Sequence, residues 1–174
     1  MVEHPISPVF DSNSKILILG SFPSVKSREA NFFYGHPQNR FWKVLATVFD
    51  TMVPITIEEK RAFLLANGVA VWDVIQSCDI VGSSDSSIKN VVANDLCVIL
   101  DNAPIEQIFV NGKTAEQYYK NILKKRLVEK LFVCHQQALP MRLGMWNDLW
   151  NSGDRFYYKL LKKRDGLVWI LEIV

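Results

Sequence analysis

Lys15-Ile16-Leu17-Ile18-Leu19-Gly20-Ser21-Phe22-Pro23-Ser24 decides the fold. The apolar run predicts a parallel strand covered on both faces, and Gly20, Ser21 and Pro23 end it in a turn whose backbone amides are free to face a ligand. In α/β proteins chemistry sits at such places, beyond the carboxyl end of a strand. Soon after comes Tyr34-Gly35-His36-Pro37-Gln38-Asn39-Arg40-Phe41-Trp42, which leads into a helical pattern over 39–49. Its apolar residues Phe41, Trp42, Leu45, Val48 and Phe49 make one buried stripe, with Phe41 and Trp42 in the core.

Further along, 58–67 reads as a second helix, acidic at its start and stopped by Gly68 in the position a left-handed C-cap favours. Residues 69–75 read as a second buried strand and the polar run 82–87 as an ordered loop. Asn94 is placed as the N-cap of a short helix reaching 102. A third strand follows at 105–110, then a helix over 114–126 whose last residues Lys124, Lys125 and Arg126 suit its dipole, then a fourth strand at 128–133. Strands alternating with helices predict an α/β three-layer sandwich, with a four-stranded parallel sheet and helices on both faces. The turn at 20–24 and Asn111-Gly112 both fall at carboxyl ends of its strands.

The chain has 174 residues, 49% of them hydrophobic, enough to bury one core. No apolar run is long enough for a bilayer and the first residues lack the pattern of a signal peptide, so a cytoplasmic protein without membrane contact is expected. Cys78, Cys97 and Cys134 are too few and too widely spaced for a zinc or iron–sulfur site and read as reduced thiols. The net charge of +2 makes no polycationic field, so any nucleic-acid contact must be a local patch. Lys26 with Arg28 is the patch that flanks the Gly20 turn.

Gly20 through Trp42 closely resembles the first motif of the uracil-DNA glycosylase superfamily, in particular its hypoxanthine-DNA (deoxyinosine) glycosylase branch. The P-x-N-R-F-W element is also similar to that of the mismatch-specific uracil glycosylases. W-D-V-I, D-S-S-I-K-N-V-V and F-V-N-G-K-T-A carry the resemblance as far as Phe132. It implies a base-excision repair enzyme that hydrolyses the N-glycosidic bond of deaminated bases, hypoxanthine or uracil, in DNA. The enzyme would act as a monomer with no metal or cofactor. A glycosylase extrudes the nucleotide, holds its base edge and lets water attack the sugar as the bond breaks through an oxocarbenium-like state. The work is therefore electrostatic: donors for the departing base and a polar group for the water.

In most of the superfamily the water is held by an Asp or Asn at the position occupied here by Phe22. In the hypoxanthine branch the resemblance moves that catalytic role to Asn39, which on the residues alone is equally an ordinary helix N-cap. Tyr34 takes the position of an aromatic stacked on the flipped base, although a loop aromatic packed on the sheet has the same signature. Asn111 both donates and accepts, as reading a hypoxanthine or uracil edge requires; its plain alternative is a turn residue beside Gly112. Ser21 and Phe22 complete the base-binding set, and Ser24, Lys26 and Arg28 are assigned to the DNA backbone. Asp73 and Asp85 have no visible partner and read as structural caps, and His36 as a surface loop residue. With no nucleophile beside a base and no Schiff-base lysine in view, simple excision without strand cleavage is expected. The rivals are a mismatch uracil or thymine glycosylase and a catalytically impaired DNA-binding remnant.

That last rival arises because the resemblance stops. After strand four the family carries a second motif of the form L-P-S-T-S-P-A-N-A-A-W, where this chain has C-H-Q-Q-A-L-P-M-R-L-G-M from Cys134 to Met145. Codons can be chosen for those residues so that the frame beginning one base earlier reads L-P-S-T-S-P-A-N-A-A-W-N. TTT TGT CTG losing one T becomes TTT GTC TGC, which encodes Phe132-Val133-Cys134. The chain thus divides into a glycosylase-like domain, 1–132, and a divergent tail, 133–174, read as out-of-frame translation. Residues 156–161 and 167–174 of the tail flank a turn-like 162–166 and are expected to pair as a hairpin. Of the 20 basic and 18 acidic residues 6 and 4 lie after Val133, so the net charge belongs to the tail.

Overall fold

The computed structural model describes residues 1–120 and the strands at 158–163 and 166–171. In chain order these form β1 (Val2–Glu3), β2 (Ile16–Gly20), α1 (Val25–Ala30), α2 (Phe41–Val48), α3 (Ile57–Ala66), β3 (Val69–Asp73) and β4 (Ile75–Asp79). A 3-10 turn at Asp85–Ser87 leads to β5 (Lys89–Ala93), α4 (Cys97–Leu100), β6 (Gln107–Asn111), α5 (Lys113–Tyr118), β7 (Tyr158–Lys163) and β8 (Gly166–Leu171). β2 is central because Leu17, Ile18 and Leu19 are buried, matched by Val69, Ala70 and Val71 of β3 and by Val110 of β6. It pairs in parallel with both neighbours, setting Gly20 opposite Asp73 and Leu19 opposite Val110. The ends of β2, β3 and β6 consequently lie side by side.

The amphipathic stripe of α2 packs as its spacing predicts, with Phe41 and Trp42 in the core. α3 starts with a capping box in which Thr56 Oγ1 accepts from the Glu59 amide and Glu59 returns its carboxylate to the Thr56 amide. Amides of Ile55 and Thr56 on that carboxylate hold its pKa below the usual range. Gly68, at φ +64°, takes the left-handed turn that ends the helix.

The α/β class stands, but the sheet is not the four-stranded parallel one expected. It has five strands in the order β3-β2-β6-β8-β7, the first four parallel and β7 antiparallel to β8. A separate antiparallel sheet, β1-β4-β5, stands beside it. The expected strand at 128–133 lies outside the described residues, and the neighbour of β6 is β8, from the hairpin expected in the tail.

The second sheet exists because 69–75 is not one strand. After Asp73 the chain bends: the Val74 amide donates to the Gly20 carbonyl, and Ile75 begins β4. Asn94 holds this bend, its buried Nδ2 donating to the carbonyls of Asp73 at 2.9 Å and Ile75 at 3.1 Å. Asn94 is therefore not the cap of α4, which starts at Cys97. Its amide carries out a buried backbone repair that spacing alone does not reveal.

The first nine residues run antiparallel along the bend. Val2 pairs with Cys78, the His4 amide donates to the Gln76 carbonyl, and Val9 exchanges hydrogen bonds with Val71. This path brings His4 to Asp73.

Candidate active site

The turn after β2 opens at Gly20, and its shape follows from what lies against it. A Cβ on Gly20 would come 2.1 Å from Asp73 Oδ1 and 3.3 Å from the Tyr34 hydroxyl, so only glycine lets these two groups share that space. Across β2, Asn111 at the end of β6 donates from Nδ2 to the Tyr34 hydroxyl at 3.0 Å. Tyr34 and Asn111, assigned to one pocket from sequence, are thus in direct contact.

Tyr34 is held in left-handed backbone geometry, φ 51°, while the next residue, Gly35, fits where a Cβ would meet the Lys26 carbonyl at 3.0 Å. One face of the Tyr34 ring stacks on Phe41, centroids 3.7 Å apart and planes 17° from parallel. The residue is partly exposed, but its hydroxyl is enclosed. Burial, followed by the Asp73 carboxylate, drives its pKa well above the usual range, and the Asn111 hydrogen bond offsets this in part.

Asp73 is not the unpartnered cap expected. His4 Nε2 lies 2.8 Å from Asp73 Oδ2, and the two side chains are only 2% and 7% exposed. The Ile6 amide donates to His4 Nδ1, which leaves the ring hydrogen on Nε2 for the carboxylate. His4 was missed in the sequence because a single histidine in a polar leader carries no periodic signal. Only pairing with β4 brings it to the site.

Phe22 is buried, edge-on to the His4 ring at 5.8 Å and beneath the Arg28 guanidinium at 5.6 Å. Arg28 also donates to the carbonyls of Pro23 and Gly82 at 3.1 and 3.2 Å, joining the turn to the 82–87 loop. That loop supplies Asp85, whose carboxylate accepts from Ser21 Oγ at 3.0 and 3.2 Å and so is not a cap without a partner. Ser24 Oγ accepts from the Ser27 amide and caps α1. Lys26 is exposed and pairs with Glu29 at 2.8 Å.

Asn39 is exposed, and its Oδ1 accepts from the Phe41 amide at 2.9 Å, the capping contact that its position before α2 allows. It connects to the Tyr34 cluster through Phe41. The carbonyl keeps a second lone pair, and Nδ2 makes no hydrogen bond among the described residues. His36 is exposed and only accepts from the Gln38 amide.

Among the described residues no three His, Cys, Asp or Glu side chains group to hold a metal. No described helix is long and apolar enough to cross a membrane. What converges at the strand ends is an amide, a phenol and a buried carboxylate–imidazole pair under a glycine turn. These suit the recognition of a polar planar ligand.

Comparison with known proteins agrees with this geometry. The model of the uracil DNA glycosylase superfamily matches residues 7–169. A hypoxanthine DNA glycosylase of Methanosarcina barkeri (strain Fusaro / DSM 804) is 32% identical over 120 residues, 68% of this chain and 76% of its own length. A protein of the same description from Methanosarcina acetivorans is also 32% identical, with the same coverage. A solution NMR structure of a Methanosarcina acetivorans protein proposed to be a uracil DNA glycosylase superposes with a TM-score of 0.63. It is 31% identical, and the match covers 72% of this chain and 79% of that one. By family match, by relatives and by the superposed fold, this chain belongs to the uracil DNA glycosylase superfamily.

Proposed function

We propose that this chain is a monofunctional DNA glycosylase that removes deaminated bases, hypoxanthine first and uracil second. The observation that carries this reading is the contact of Asn111 with Tyr34 at the ends of β6 and β2, within a family whose relatives include hypoxanthine DNA glycosylases. Asn111 reads the Watson–Crick edge of the extruded base, and the Tyr34 face opposite Phe41 stacks on it. Ser21 and Phe22 line the pocket. Asn39 positions the attacking water through the free lone pair of its carbonyl. Lys26 contacts the DNA backbone beside Ser24 and Arg28, which also shape the turn. The enzyme acts as a cytoplasmic monomer.

An excision assay on duplexes carrying hypoxanthine, uracil or xanthine, read by alkaline cleavage of the abasic product, tests this reading. Release of hypoxanthine above the other bases supports it. Release of uracil or thymine only from mismatches with guanine would instead favour a mismatch glycosylase.

We further propose that 133–174 is an out-of-frame tail replacing the second motif of the family, so that excision by the chain as it stands is impaired. The support is the back-translation of Cys134 to Met145, residues that lie outside those described.

A further inference from the structure

Deamination inverts a hydrogen-bond pattern. Adenine presents an acceptor at N1 and a donor at N6, whereas hypoxanthine presents a donor at N1 and an acceptor at O6. Cytosine and uracil differ in the same sense. A carboxamide reads either pattern, depending on which way round it is held. An Asn free to flip cannot tell a lesion from its parent base.

Asn111 is not free in this respect. Its Nδ2 donates to the Tyr34 hydroxyl at 3.0 Å, which leaves one N–H and the carbonyl oxygen for the base, the set that complements hypoxanthine or uracil. That arrangement holds only while the hydroxyl turns its oxygen toward Asn111 and its hydrogen elsewhere. Asp73 supplies the direction, since its Oδ1 and the Tyr34 hydroxyl stand over the same Gly20 α-carbon. The carboxylate is near enough to act on the phenol electrostatically. Asp73 is in turn oriented by His4, whose Nε2–H donates to Oδ2 because the Ile6 amide occupies Nδ1.

We propose that His4 and Asp73 are positioning residues that set the direction of the Tyr34 hydroxyl and so lock the Asn111 carboxamide in the orientation that accepts deaminated bases and rejects their parents. This rests on the glycosylase reading above. Neither His4 nor Asp73 touches the base; both act through Tyr34.

Asp73→Asn tests the sense of the relay. The His4 Nε2–H needs an acceptor, so the new amide turns its oxygen to His4 and its NH2 toward Tyr34. The hydroxyl then presents its hydrogen to Asn111, and the Asn111 amide turns over. The readout is the ratio of affinities for duplexes carrying non-hydrolysable 2′-fluoro nucleotides of hypoxanthine and of adenine, which needs no turnover. In the unaltered chain hypoxanthine is preferred, and Asp73→Asn lowers that preference about tenfold, the scale of one bidentate base contact.

Tyr34→Phe, which keeps the ring and its stacking, lowers the preference comparably and decides the matter alone if Asp73→Asn does not fold. The double variant falls no further than Tyr34→Phe, because Asp73 acts only through the hydroxyl. An unchanged ratio in Tyr34→Phe, equal weakening of both duplexes, or additive losses in the double variant overturns the relay while leaving the glycosylase reading intact. No preference for hypoxanthine in the unaltered chain overturns both.

Discussion

Asp73 Oδ1 sits where a side chain on Gly20 would be, 2.1 Å from the position of its Cβ. Gly20 is thus present for close approach rather than for a turn dihedral, since its φ lies outside the left-handed range. It sits at the end of β2, in register with Asp73.

Gly20→Ala must therefore expel the carboxylate from its place between His4 and Tyr34. Overpacking of this kind costs about 1–3 kcal/mol, measured as a fall in the denaturant midpoint with the slope unchanged. Stability equal to that of the unaltered chain would place Asp73 elsewhere.

Asn39 has a capping contact and a proposed catalytic one, and two substitutions separate them. Asn39→Ala removes both. It lowers stability by about 0.5–2 kcal/mol through the lost cap, and excision by about 100-fold or more with a much smaller loss of DNA affinity. Asn39→Asp keeps the oxygen that accepts from the Phe41 amide and so keeps the stability. The excision comparison is made in a chain with an intact second motif. Equal losses of rate and affinity in Asn39→Ala would confine Asn39 to its cap.

Burial and the Asp73 carboxylate raise the Tyr34 pKa, so the hydroxyl stays protonated in the folded chain at pH values where it ionises in the unfolded one. Stability from this group is fully present below the ordinary tyrosine value of about 10 and is lost as pH rises above it. Thermal melts should show a steeper alkaline fall for the unaltered chain than for Tyr34→Phe. Parallel curves would mean that the hydroxyl titrates alike in both states.

How much of this was legible in the sequence depended on whether a contact was local. The β2 run, the α2 stripe and the Gly68 stop repeat at spacings that secondary structure imposes, and they form where expected. Tyr34 and Asn111 were paired through family resemblance, not through any pattern linking residues so far apart. The bend after Asp73, the Asn94 staple and the His4–Asp73 pair were invisible because each depends on which strands become neighbours. An apolar run such as 69–75 looks the same whether it continues in one sheet or crosses into another.

The basic residues of the first motif differ in what the fold asks of them. Arg28 is fastened to the carbonyls of Pro23 and Gly82, whereas Lys26 has only an exposed partner in Glu29. Lys26→Ala should lower the salt dependence of DNA binding by about one unit of slope with little change in stability. Arg28→Ala should cost stability as well, because it releases the turn from the 82–87 loop. A Lys26→Ala variant with an unchanged salt slope would remove Lys26 from the DNA interface.

The tail poses a question the gene can answer. In the hidden frame, the last two bases of each codon are set largely by the visible residue, so Cys134 to Met145 leave little freedom to spell an unrelated motif by choice of codon. A T run at codon 132, followed one frame over by L-P-S-T-S-P-A-N-A-A-W, is required. The β7–β8 hairpin formed by the tail pairs with β6, where the family reading places strand four. Pairing there does not supply the missing loop, because backbone hydrogen bonds to an edge strand are available to any chain of sufficient β-propensity. Restoring one T should therefore replace the hairpin with the second motif and raise hypoxanthine excision from little or none to a readily measured rate, with the first motif unchanged. Codons that forbid the reading, or full excision by the chain as it stands, would show that the tail is a divergent but functional C-terminus.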